Sequence, residues 1–105
     1  MSRLAEAIDR LTATLEARRS ADPATSWSAK LIADPKLAAR KLGEEAFEAV
    51  IAALSDDREA LASEAADLIY HMLALLAAKG VSADEVAAVL EGREGKSGIE
   101  EKAGR

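Results

Sequence analysis

Two short runs of carboxylates stand in otherwise apolar sequence: Glu44-Glu45-Ala46-Phe47-Glu48 and Glu64-Ala65-Ala66-Asp67. Between Ala46 and Leu54 the only charge is Glu48, and between Leu68 and Ala78 the only polar groups are Tyr70 and His71. Acids on a solvated helix face usually come with Lys or Arg four residues on and with other polar neighbours. Here most do not. An α-helix turns about 100° per residue, which places Glu44, Glu45 and Glu48 within an arc of about 100° shared with Leu37, Lys41 and Ala52. Glu64, Asp67 and His71 form a second stripe beside Ala60, Ala74 and Leu75. Neither helix has a broad wet face, so both are expected to be buried and some carboxylates to point inward. Unpaired buried carboxylates cost several kcal/mol each. Nearby basic residues are too few to neutralise them. A divalent cation does so, and all-oxygen ligands favour Mg²⁺ or Mn²⁺ over zinc or copper.

The elements that must position these acids follow from local signals. A first helix is expected over Arg3–Arg18, capped by Ser2, with Leu4, Ala7, Ile8, Leu11 and Leu15 at helical spacing. Residues 23–33 allow a short helix or turn around Ser26-Trp27-Ser28. Trp27, the only tryptophan, reads as a core or interface anchor. Asp34-Pro35 starts a helix that runs to about Leu54. Ser55-Asp56-Asp57 makes a corner, where Asp56 is expected to cap the next helix with Glu59 completing a capping box. That helix ends near Lys79 at Gly80. Ser82-Ala83-Asp84-Glu85 opens a short last helix to about Glu91. So short a corner makes the two acidic helices antiparallel. Glu48 lies about two turns before it and Glu64 about two turns after, so the clusters face each other at similar height.

The chain has 105 residues, enough for one domain. Alanine and leucine dominate and aromatics are 3%, so the reading is all-α. Residues 1–92 are expected to form a single helical domain, followed by a Gly- and charge-rich tail over 93–105. One copy cannot cover such apolar helices, so an antiparallel bundle completed by homodimerisation is expected. The 14 Lys plus Arg against 19 Asp plus Glu argue against a nucleic-acid partner. Without cysteine there is no thiolate metal site. Met1–Arg10 lacks the apolar segment of a signal peptide. Leu68–Ala78 is shorter than the ~20 residues a bilayer needs. A cytoplasmic protein without membrane association is the expectation.

Lys41-Leu42-Gly43-Glu44-Glu45-Ala46-Phe47-Glu48, followed by Glu64-Ala65-Ala66-Asp67-Leu68-Ile69-Tyr70-His71, resembles the phosphoribosyl-ATP pyrophosphohydrolases of histidine biosynthesis. These belong to the all-α nucleoside-triphosphate pyrophosphohydrolases, with the MazG-like enzymes. The superfamily signature is Glu-Glu-x-x-Glu, a gap, then Glu-x-x-Asp. The Lys-x-Gly before it, the Asp-x-x-Tyr-His within it and the ending Gly98-Ile99-Glu100-Glu101-Lys102-Ala103 point to the histidine branch. The resemblance is weaker before Ser26, where Ser26-Trp27-Ser28 stands in place of an expected Ser-Tyr-Thr. It implies the second step of L-histidine biosynthesis, hydrolysis of 1-(5-phosphoribosyl)-ATP to phosphoribosyl-AMP and pyrophosphate. By similarity, Glu45, Glu48, Glu64 and Asp67 hold Mg²⁺, with Mn²⁺ as a substitute. Glu44 then orients or deprotonates the water. Lys41 binds phosphate or pairs with Glu45, and Arg93 is a second phosphate ligand. His71, four residues after Asp67, is expected to hydrogen-bond that carboxylate and support it.

Other readings remain at this level. A MazG-like enzyme clearing other nucleotides would share the signature. A non-catalytic dimeric bundle gives no reason for two matched acidic clusters. A di-iron bundle would add Glu-x-x-His on facing helices, and position 68, three before the only histidine, is Leu.

Overall fold

Five helices follow one another in the computed structural model, which describes residues 2–96 and 98. They are α1 (Arg3–Arg18), α2 (Trp27–Ala33), α3 (Pro35–Leu54), α4 (Arg58–Lys79) and α5 (Ala83–Gly92). No strand occurs among the described residues, so the chain is all-α. Each start is fixed by a side-chain oxygen that accepts from an otherwise unpaired backbone N–H. Ser2 accepts from Ala5, Ser26 from Ala29 and Asp34 from Leu37. Ser82 and Glu85 close the expected capping box, each side chain accepting from the other's backbone N–H. At the end of α4, Gly80 takes φ 71°, a left-handed conformation that glycine adopts without strain.

One cap differs. Asp57, not Asp56, accepts from the N–H of Ala60. Asp57 holds the extended backbone a cap requires, and Ala60 then occupies the third helical position. Glu59 is therefore one place too early to close a capping box. Residues 23–33, left open between helix and turn, contain the seven-residue α2. Of the Gly- and charge-rich tail expected over 93–105, residues 97 and 99–105 lie outside the described residues.

The buried core joins Leu15 of α1, Leu31 and Ile32 of α2, Ala38 of α3 and Ala74 of α4. Leu11, Leu37, Tyr70, Leu73 and Leu75 pack around it. It therefore lies at the start of α3 and the end of α4, away from their corner. Arg19 braces this end: its guanidinium donates to the Ala77 carbonyl at 3.0 Å and pairs with Glu16 at 2.8 Å. By length and composition α4 as a whole could cross a membrane, which Leu68–Ala78 alone could not. Yet α1, α2 and α3 all pack on it.

Toward the corner the hairpin is apolar and open. Phe47 is 66% exposed and Leu54 84%, with Val50, Ile51 and Leu61 also exposed. Full burial of α3 is thus not achieved within one chain. Gly43 falls within about 40° of Phe47, Val50 and Leu54 on the helical wheel. A Cβ there would meet nothing within 4 Å. A mid-helix glycine costs about 1 kcal/mol relative to alanine, and no contact within this chain requires one.

Candidate metal centre and its surroundings

The antiparallel hairpin brings Glu45 and Glu48 of α3 against Glu64 of α4. One carboxylate oxygen from each lies within 4.8 Å of the others. Side chains at i and i+3 share a helix face, which sets the Glu45–Glu48 pair. The corner supplies Glu64 at the same height. Glu45 and Glu64 are partly buried, and Glu48 is exposed at the mouth. Oε2 of Glu45 and Oε2 of Glu64 are both shut off from solvent without a hydrogen-bond partner. Buried polar atoms are seldom left so. Oxygens converging without a donor suit a hard divalent cation.

Electrostatics agree. Burial raises the Glu45 carboxyl above the ordinary carboxylate range, and repulsion from Glu48 and then Asp67 adds to this, while His71 opposes it. Burial likewise raises Glu64, reinforced by Glu48, Glu45 and Asp67. Both groups hold protons more tightly folded than unfolded. Their ionisation therefore costs stability as pH rises through the window from the ordinary carboxylate range to the raised folded values. With chelator, thermal unfolding should show stability from these groups falling through that window. Mg²⁺ should stabilise more at about pH 8 than at about pH 5, because protons and the ion compete for the same oxygens. At a hundredfold excess over Kd the ion adds about 2.7 kcal/mol, a Tm rise on the order of 10 °C for a chain this size. Calorimetry finding no Mg²⁺ effect at either pH would remove the metal centre.

The other expected residues fall as follows. Asp67 is exposed and outside the close triad, though near enough to repel Glu45 and Glu64. His71, only 8% exposed, lies with Nδ1 2.8 Å from the backbone carbonyl of Asp67, not its carboxylate. A carbonyl only accepts, so Nδ1 carries the proton. This contact is within helix reach, four residues back, and it steadies α4 without gripping the Asp67 side chain. The ring also stands edge-on to Tyr70, at 5.0 Å between centroids. The Tyr70 hydroxyl is 2.6 Å from Ser28 Oγ, which ties α2 to α4 beside the cluster.

Lys41 pairs with Glu44 at 3.6 Å, not with Glu45, whose carboxylate turns toward α4. Glu44 thus lies outside the close triad. Arg93 is the C-cap residue of α5. Trp27, read as a core or interface anchor, is 42% exposed and so is not part of this chain's buried core. The ammonium groups of Lys30 and Lys41 each lie 5.8 Å from its ring centroid. Sequence reasoning missed this trio. The only local signal was Lys30 three residues after Trp27, on one face of α2.

An all-helical chain with carboxylates converging from two antiparallel helices is a helical protein with a candidate cation site. Residues 8–94 match the family model for phosphoribosyl-ATP pyrophosphohydrolase. A protein of Caulobacter vibrioides (strain NA1000 / CB15N) named phosphoribosyl-ATP pyrophosphatase is 61% identical over 103 residues, covering 98% of this chain and 96% of its own. One of the same name from Caulobacter sp. (strain K31) is 58% identical over 105 residues, covering 100% and 98%. Another, from Cereibacter sphaeroides (strain ATCC 17029), is 61% identical over 99 residues, covering 93% and 96%. The chain belongs to the phosphoribosyl-ATP pyrophosphohydrolase family.

Proposed function

We propose that this chain hydrolyses 1-(5-phosphoribosyl)-ATP to 1-(5-phosphoribosyl)-AMP and pyrophosphate, the second step of L-histidine biosynthesis. The observation that carries the reading is the triad of Glu45, Glu48 and Glu64, with its unpartnered buried oxygens, in a chain of this family. The near full-length relatives carry this activity in their names and favour it over a MazG-like specificity.

Glu45, Glu48 and Glu64 hold Mg²⁺ or Mn²⁺, with Asp67 as the fourth carboxylate. The ion supplies neutralisation of triphosphate charge and activation of water. Glu44, outside the triad, takes the proton from the attacking water. A new P–O bond forms at the α-phosphorus, the bridging P–O bond to the β-phosphate breaks, and pyrophosphate departs. Lys41 and Arg93 hold phosphate oxygens, and His71 steadies α4 beneath Asp67. Residues 1–92 form the catalytic domain, with 93–105 as its tail. The protein works in the cytoplasm as a homodimer, without nucleic-acid or membrane partners. The second copy covers Phe47, Val50 and Leu54, and Gly43 lets it approach closely.

Turnover in ¹⁸O-labelled water, with and without Mg²⁺, tests this. The label should enter the monophosphate product, and chelation should stop the reaction. Label in pyrophosphate, or release of inorganic phosphate, overturns attack at the α-phosphorus. Absence of turnover overturns the function.

A further inference from the structure

Beyond the carboxylates, toward the end of α4, the fold leaves a cavity of about 250 Å³ between α1, the last turns of α4 and the start of α5. Its walls are apolar: Leu15 of α1, Leu73 and Leu76 of α4, and Val81 in the turn that follows. Glu16 and Arg19, both exposed, stand at its rim. They pair through Arg19 Nε and Nη2, and Nη2 also donates to the Ala77 carbonyl. Among the described residues nothing accepts from Nη1, so that end of the guanidinium keeps its donors. Each Glu16 oxygen accepts one bond from Arg19, and a carboxylate has about four acceptor positions. Leu73 is nine residues beyond Glu64 on α4, about 14 Å along the helix axis, so the cavity is separate from the triad.

Apolar walls with a few placed polar groups are the make-up of a small-molecule site. The volume exceeds the ~150 Å³ that holds benzene and falls short of the ~300 Å³ at which larger ligand clefts begin. It suits one ring or branched chain with a short polar head. Water is a poor filler, because the Thr12 hydroxyl already donates to the Ile8 carbonyl and the apolar walls offer no partner. A second copy is not the occupant, since the open apolar face of Phe47, Val50 and Leu54 lies toward the corner, at the other end of the hairpin. The rim charges then choose among small ligands. A lone anion would face Glu16 as well as Arg19, and a lone cation would face Arg19 as well as Glu16. A zwitterion satisfies both. We propose that this cavity binds an α-amino acid with an apolar side chain. Its carboxylate accepts from Arg19 Nη1, its ammonium donates to Glu16, and its side chain lies against Leu15, Leu73 and Leu76. The site does not depend on the activity proposed above.

Thermal unfolding of the wild-type chain tests this with four probes. L-Leucine carries every group the site requires, glycine lacks the apolar body, 4-methylpentanoate lacks the ammonium, and isopentylamine lacks the carboxylate. L-Leucine should raise Tm by about 5 °C at tenfold excess over Kd, and the other three far less at the same concentration. The rise should be the same with chelator as with Mg²⁺, because the triad takes no part. Amide resonances should shift over 12–19 and 73–83 and stay in place over 45–48. Ala83 lines the cavity, so Ala83→Leu should fill it and weaken L-leucine binding at least about tenfold while keeping the Mg²⁺-dependent rise in Tm. Arg19→Gln should weaken L-leucine binding by about tenfold. No response to millimolar L-leucine overturns the site. So does an equal response to glycine, 4-methylpentanoate or isopentylamine, a response that requires Mg²⁺, or unchanged binding by Ala83→Leu. The wild-type panel decides even if a variant fails to fold.

Discussion

Glu48→Gln loses turnover by more than the 10–100-fold typical of residues that merely support a ligand, on the order of 10³-fold, while the helical fold persists. The reason lies in its neighbours. Glu48 is the largest charge acting on both Glu45 and Glu64, and it completes the triad from the exposed side. Removing that charge relieves repulsion, so the metal-free variant should melt higher than the metal-free wild type. Mg²⁺ should then stabilise it little. Glu44→Gln provides the contrast. Its side chain pairs with Lys41 outside the triad, so it should lose about 10²–10⁴-fold in turnover yet keep the Mg²⁺-dependent rise in Tm. Circular dichroism, melting with and without Mg²⁺, and steady-state kinetics distinguish these outcomes. Near-normal turnover of Glu48→Gln at saturating Mg²⁺ would remove it from the metal site.

Val50→Glu separates the dimer or unfolds the chain. Val50 is exposed, with Phe47, Ile51 and Leu54 on the same helix and Leu61 on its partner. Large contiguous apolar patches on a soluble domain mark association. A carboxylate placed between two copies would be desolvated without a partner, at several kcal/mol. Sedimentation should find a wild-type dimer at micromolar concentration and a monomer or unfolded chain for the variant. A wild-type monomer that is stable and active would end the dimer proposal.

Much of the fold was legible because its signals are local. Ser2, Asp34-Pro35, Gly80 and the Ser82–Glu85 box mark helix ends through contacts no more than a few residues long. The facing of Glu48 and Glu64 was legible because a short corner allows one geometry. The choice between Asp56 and Asp57 was not, since adjacent residues of the same type offer the same cap. Partners that depend on side-chain rotamers also escaped. Lys41 reaches Glu44 instead of Glu45, and His71 meets a carbonyl instead of a carboxylate. What covers the apolar face of α3 was not legible either, because periodicity shows which face is apolar and not its partner. Trp27 near Lys41 is a tertiary fact, decided by the placement of α2 on α3 and invisible in spacing.

The corner Ser55–Asp57 also acts as a ruler. With Asp57 fixed as the cap of α4, the count of residues from Glu48 through the turn to Glu64 sets where α4 begins its first turn. One added residue displaces a helix by about 1.5 Å and rotates it by about 100°, which would carry Glu64 off the shared face. Loops usually absorb changes in length at little thermodynamic cost. This one has less of that freedom, because its length sets how the triad faces although none of its side chains belongs to it. A change in length is therefore accommodated before α3 and after α4 more readily than between the two acidic clusters.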